Sequence, residues 1–267
     1  MDFGEWISTV PLWSLFVLTA AICLGMVEAG AALSAYALRH QREKEPEAPL
    51  GALVGAMLGL LGFILAFTFG MTASRFDVRR QLVLEEANSI KTTYLRAALI
   101  PQAQSAEVRR WLREYVDVRL NLTPENLPES IRISEEIHGR LWSQAQTLTD
   151  ESMDSELRSL FVASLNDLIN LHQSRKTVGY QYRIPGEVWL SIYLLSVMSM
   201  LALGYQVGMC GRRRLLATPL LALAFSLVIL MIADIDRPGE GFMRVSQQPI
   251  ADVRQSMLEQ SFEPARP

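Results

Sequence analysis

PLGALVGAMLGLLGFILAFTFGMTASRFDVRR, residues 49–80, decides how the rest of the chain is read. From Leu50 to Thr72 it carries no charge, which matches the ~20 apolar residues a helix needs to cross a hydrocarbon core. Gly51, Gly55, Gly59, Gly62, Ala66, Gly70 and Ala73 recur at steps of three and four, so they line one face of a helix. A stripe of small residues lets a second backbone approach closely, which is how helices associate in lipid. Phe63 and Phe67 are read onto a different face. Arg75, Arg79 and Arg80 then arrive with no turn signal, and the helical pattern runs on into LVLEEANSI. The reading is one long helix that crosses the membrane and projects beyond it.

Three more apolar runs flank this one, giving expected spans near 11–36, 50–73, 187–209 and 215–234. Pro11 suits the opening turn of the first, and Trp6 and Trp13 are placed as interfacial anchors. Gly25, Ala29 and Ala32 or Leu33 form a partly small face, read as turned toward the second span. Glu28 has two readings: an ionisable group inside a span is a functional candidate by default, or the hydrocarbon part ends near it and the carboxylate snorkels outward. Arg39 to Glu47 is a short charged loop, so the first two spans are expected to be antiparallel neighbours. Trp189, Tyr193 and Tyr205 fall toward the ends of the third span, and Gly211 to Arg214 is a basic turn into the fourth.

Arg75 to Pro185 is polar and helical, punctuated by Pro101, Pro124 and Pro128. Val108, Trp111, Leu112, Tyr115 and Val116 repeat at helical spacing. So do Ile133, Ile137, Leu141, Ala145 and Leu148, and then Leu157, Phe161, Leu165 (or Ser164), Leu168 and His172. No strand alternation appears. The fold class expected is all-α: a polytopic membrane protein with four transmembrane helices and a helical extramembrane insertion between the second and third. The division expected is 1–74 for the first hairpin, 75–186 for the insertion, 187–236 for the second hairpin and 237–267 for a polar C-terminal tail.

Composition narrows the function classes. Half of the residues are hydrophobic and the net charge is −3, so no basic field points to nucleic acid. The only cysteines, Cys23 and Cys210, give neither a disulfide framework nor metal spacing; Cys210 is read as an unmodified membrane-edge thiol, with palmitoylation the alternative. The N-terminal MDFGEWISTV is acidic and lacks the basic start of a signal peptide. No catalytic constellation, metal cluster or cofactor loop is present, so no enzyme activity, metal or cofactor is expected. His172 is read as a satisfied core histidine, Glu85 and Glu86 as a solvated face paired with the nearby arginines, and Trp111 and Trp142 as core. Asn121-Leu-Thr123 matches a glycosylation sequon by a pattern common by chance.

Leu60 to Ile90 resembles the bestrophin-like family of four-helix membrane proteins, a domain of unknown function distantly similar to the bestrophin anion channels. A second stretch, Asp234-Ile-Asp236-Arg237-Pro238 followed by Gly, Val-Ser and Pro up to Ile250, resembles the pattern that follows the family's last span. LWSQAQ at 141–146 and Arg183-Ile-Pro185 are weaker matches. The resemblance implies a homo-oligomer whose second span lines a hydrophobic neck, with Phe63, Phe67 and Met71 toward a pore. The sequence departs from bestrophins in its glycine stripe and in having Arg75-Phe76-Asp77 in place of an Arg-Trp-Trp signature.

Two functions follow as expectations. One is a homo-oligomeric channel with anions as the favoured cargo, drawn by Arg75, Arg79 and Arg80 at one mouth. The alternative reading of those arginines, and the simpler one, is a membrane-edge anchor touching headgroups of the lipid bilayer. The other is a non-conducting interaction or sensing protein whose insertion docks a partner. The location expected is the bacterial cytoplasmic (inner) membrane. Basic residues in the short loops would put the insertion outside, whereas the resemblance puts it in the cytoplasm. Asp234 and Asp236 oppose the helix dipole at the end of the fourth span. They are expected either to be compensated by basic side chains, Arg75 or Arg79 first, or to be fully solvated.

Overall fold

A computed structural model describes residues 3–40, 47–148, 154–210, 216–237 and 241–262. Among these the chain is all helix: α1 (Phe3–Thr9), α2 (Leu12–His40), α3 (Glu47–Arg96), α4 (Gln102–Leu120), α5 (Leu127–Thr147), α6 (Ser155–Lys176), α7 (Gly186–Met209), α8 (Ala217–Asp236) and α9 (Gln248–Phe262). A 3-10 turn (Ala97–Leu99) follows α3 and a π-turn (Thr177–Gln181) follows α6. Four helices are long and apolar enough to cross a membrane, and the protein is an integral membrane protein: Leu12–Arg39, Pro49–Leu99, Gly186–Met209 and Ala217–Asp236. The prolines act as helix punctuation. Pro101 and Pro185 immediately precede α4 and α7, and Pro128 lies in the first turn of α5, where a missing N–H costs nothing. Asp154 caps α6 by accepting from the Glu156 N–H at 2.9 Å.

The chain divides into two compact units, and α3 contributes to both. The membrane unit comprises residues 1–74, 183–237 and 241–243. Its core joins Leu15, Cys23, Leu61, Leu65, Trp189, Ile192, Met200, Ala222 and Ile229. Here α2 packs on α7 and α8. The small face that the sequence offers toward the second span is not the one used. Gly25 has open space around it, and close approach is made through Gly30, Gly204 and Gly208. A Cβ at Gly30 would lie on the Leu201 carbonyl oxygen, one at Gly204 on the Val27 carbonyl oxygen, and one at Gly208 on the Ser34 hydroxyl. Trp189 is buried in this core.

The second unit comprises residues 75–182, 238–240 and 244–267. Its core gathers the three apolar stripes of α4, α5 and α6 around Val83, Ala87, Ile90 and Tyr94 of α3. It also takes Ile250, Val253 and Met257. The end of the chain is therefore not simply a polar tail. Those three residues stand at helical spacing, and burying them turns 248–262 into α9. Trp142 is 36% exposed and is not core. Trp111 packs against the core, with Arg110 and Arg140 guanidinium carbons 4.5 and 4.3 Å from its ring centroid.

Candidate functional site

Three sets of residues carry functional interest. In the membrane part of α3, only a narrow stripe is buried: Val54, Leu61, Leu65, Thr68 and Thr72. Thr68 and Thr72 donate back to Ile64 and Thr68 carbonyls at 2.8 and 2.9 Å, so their hydroxyls are satisfied inside the helix. Most of the remaining surface is bare in a single chain. Phe63 and Phe67 are 66% and 67% exposed, and Met71 is half-buried. Gly55, Gly59, Gly62 and Gly70 would each accept a Cβ into open space, whereas Gly51 faces the Gln206 side chain at 3.1 Å. Ala66 is exposed too. The phenylalanines and the small residues thus share one open side. Gly59 and Phe63 are one turn apart, about 40° around the helix axis at 100° per residue, so separate faces are not available to them. Of the arginines that follow, Arg80 is exposed, Arg75 half-buried and Arg79 buried, with the Arg79 guanidinium 6.0 Å from the Phe76 ring centroid.

The second set is the motif at the end of α8. Asp234 and Asp236 are 4% and 8% exposed, which excludes full solvation. Backbone amides are among their partners. Asp236 accepts from the Ile184 N–H at 3.1 Å, and Asp234 from the Phe242 and Met243 N–H groups at 2.9 and 3.1 Å. Arg183 donates to the Asp236 carbonyl at 2.8 Å. Arg237 is buried and donates to the Ile7 carbonyl. Gly241 sits at φ +88, and a Cβ there would collide with the Asp234 carboxylate and come within 2.9 Å of Leu12. Glycine is needed here twice over, for the left-handed backbone and for the close approach. Arg183-Ile-Pro185 and Asp234-Ile-Asp236-Arg237, far apart in sequence, are thus one joint. Pro238 lies outside the described residues, as do Arg212 to Arg214.

The third set was not legible as a site. Glu86 is fully buried, not part of a solvated face; its neighbour Glu85 does lie on the surface, but accepts from Gln81 at 2.8 Å and not from an arginine. Two further helices, α4 and α6, converge on the Glu86 carboxylate of α3. Arg119 of α4 stands at 3.3 Å, Arg175 of α6 forms a direct ion pair, and the Tyr115 hydroxyl of α4 donates to it. Two guanidiniums and a phenol on one carboxylate keep it ionised. Arg175 reaches on to Gln247, ahead of α9, at 3.3 Å. Burial and the adjacent Glu86 charge push the Tyr115 phenol well above its ordinary pKa, so it stays a donor. Its oxygen then meets His172 Nδ1 at 3.2 Å. His138 of α5 closes the cluster, with its ring centroid 4.9 Å from Tyr115 and 4.8 Å from His172, the two imidazoles edge to face. Burial pushes His138 down to about 4, and burial with the neighbouring His138 and Arg119 pushes His172 to about 4, so both are neutral at pH 7. The expectation of a core histidine at 172 holds for its burial, but only Nδ1 has a partner. No group of three metal-ligating side chains occurs among the described residues.

The sequence matches the family model of the Bestrophin-like domain over residues 12–250. No curated protein matches the chain. The fold is similar to that of a crystallised membrane protein, with TM-score 0.67 at 14% identity over 92% of this chain and 99% of that one. It is also similar to two crystal structures of a bacterial bestrophin homologue from Klebsiella pneumoniae. One gives TM-score 0.66 at 13% identity over 95% of this chain and 100% of that one. The other gives 0.63 at 14% identity over 93% and 98%. At these identities the likeness is one of fold.

Proposed function

The chain belongs to the Bestrophin-like family, and on that premise we propose that it is a homo-oligomeric anion channel of the bacterial inner membrane. The observation that carries the proposal is the open side of the α3 span. It is the least buried of the four spans, and it presents Phe63 and Phe67 beside a run of glycines with nothing packed on them. Glycine lowers helix stability by ~1 kcal/mol per residue relative to alanine. Four glycines on the open side of one span, Gly55, Gly59, Gly62 and Gly70, make sense where other backbones come close. Copies arranged about an axis would cover the small residues and leave the phenylalanines as an apolar constriction, which gates by dewetting. Arg75, Arg79 and Arg80 would supply the positive potential that favours anions over cations. The alternative class is a non-conducting membrane interaction or sensing protein whose helical insertion docks a partner.

The test is reconstitution of purified protein in planar bilayers under a chloride gradient. Anion-selective single-channel currents, altered by Phe63→Ala with Phe67→Ala, are expected. An intact oligomer that passes no current would overturn the proposal and favour the non-conducting reading.

A further inference from the structure

The Glu86 cluster contains more hydrogen-bond logic than a structural ion pair needs. Tyr115 has one hydroxyl proton, and it is donated to Glu86. The Tyr115 oxygen can therefore only accept from His172, so the proton of His172 sits on Nδ1. His172 Nε2 is then a bare lone pair. That atom is buried and without a hydrogen-bond partner, and so is His138 Nε2. Buried polar atoms are normally satisfied, and exceptions call for an explanation.

Every element around the pair contributes charge. Glu86 comes from α3 and Arg119 from α4; Arg175 comes from α6 and reaches Gln247. Glu135 of α5 is nearby but is engaged by Lys176 of α6 at 2.8 Å. The cluster thus already holds two guanidiniums against one buried carboxylate. A proton added to either imidazole raises that imbalance inside a dry core. With ring centroids only 4.8 Å apart, the pair has room for one such charge, since a second would meet the first at contact range.

We propose that His138 and His172 form a one-proton acid switch, whose protonation opens the Glu86 hub and releases the polar stretch of α3 from α4 and α6. The sign follows from linkage. The folded cluster binds its proton less readily than exposed histidines do, so the closed form is fully favoured above about pH 6.5 and loses ground as pH falls toward about 4. Between pH 7.5 and pH 5.0 one histidine shifted from 6.5 to about 4 raises the open population roughly 30-fold. Over that interval Glu86 keeps its charge, so the change belongs to the histidines. The switch is a property of this unit and does not rest on ion conduction.

Hydrogen-exchange mass spectrometry of the full chain in lipid nanodiscs tests it. Amide exchange, corrected for its intrinsic pH dependence, is expected to rise on the order of 30-fold from pH 7.5 to 5.0 in peptides covering 83–94 and 108–119. In His138→Asn with His172→Gln the rise should fall below about 3-fold, because neither side chain then takes up a proton. Exchange at the imidazole C2 position of the wild type reports each histidine separately, with His40 in the same sample. His138 and His172 should titrate below pH 5. Unchanged protection in the wild type, an equal rise in the double variant, or either histidine titrating at pH 6 or above overturns the switch. If the double variant does not fold at pH 7.5, the wild-type imidazole titration decides alone.

Discussion

Replacing Glu86 by Gln removes the buried charge and keeps the shape. The Arg119 side chain is 2% exposed and that of Arg175 12%, so neither guanidinium regains much water when its partner is lost. At 3.3 Å and an effective dielectric of 20, one charge pair is worth about 5 kcal/mol before desolvation is subtracted. Breaking a buried pair by deleting one partner costs about 3–5 kcal/mol, most of it from the charges left behind. Each kcal/mol moves the midpoint by about 2–4 °C in a protein near this size, so Glu86→Gln should lower it by roughly 6–20 °C. The assay is intrinsic-fluorescence melting in detergent at one fixed scan rate, because unfolding of membrane proteins is commonly irreversible. Glu85→Gln is the internal control: it is adjacent in sequence and bonded only to Gln81 on the surface, so it should change the midpoint by no more than about 2 °C. Equal shifts for the two variants, or a Glu86→Gln midpoint within 2 °C of wild type, would refute the reading of a buried hub.

Gly204→Ala should separate α2 from α7, because its methyl lands on the Val27 carbonyl; a loss of about 1–3 kcal/mol is expected, read as a lower melting point with the oligomer dissociated or not. Gly59→Leu meets open space within its own chain, so it should leave the protomer folded and lower the assembly state on a native gel, with Leu60→Ala, at a 51% exposed position, as the neutral control. An unchanged assembly would remove the packing role given to the stripe. Asp234→Asn and Gly241→Ala break the same joint, so each should destabilise by about 1–3 kcal/mol and the pair by less than the sum, as a double-mutant cycle of melting data would show.

The four spans were legible because an uninterrupted apolar run of that length has few other uses. The continuation of α3 past the membrane was legible because no Pro or Gly stands between Gly70 and Arg96. The three amphipathic stripes gave the core of the second unit nearly residue by residue, since Leu112, Tyr115, Leu141, Phe161 and Leu165 are all fully buried. Glu86 was not legible. In sequence it sits beside Glu85 on a charged helix, and its partners lie 33 and 89 residues away. Periodicity gives a residue its face but not what arrives on that face from elsewhere. The same limit explains the glycines: the conspicuous stripe on α3 is open, while the tightest approach rests on Gly30, Gly204 and Gly208, and the four-residue step from Gly204 to Gly208 is a shorter instance of the same packing pattern. α9 was missed for a different reason. Its apolar signal is only Ile250, Val253 and Met257 among polar neighbours, too short to outweigh the composition around it.

The bond from Arg237 to the Ile7 carbonyl joins residues 230 positions apart, and it bears on the order in which the protein is made. The chain emerges N-terminal end first, so Ile7 is available well before Arg237. Until α8 has left the ribosome, Ile7 has no Arg237 to hold it, Ile184 has no Asp236 carboxylate to receive its N–H, and the turn at Gly241 does not yet exist. Domains otherwise tend to consolidate as they are synthesised, N-terminal parts first. Here one fastening of α1 waits for α8, and a chain stopped before residue 234 would hold α1 through its packing on α7 alone, leaving it easier to open and to cleave.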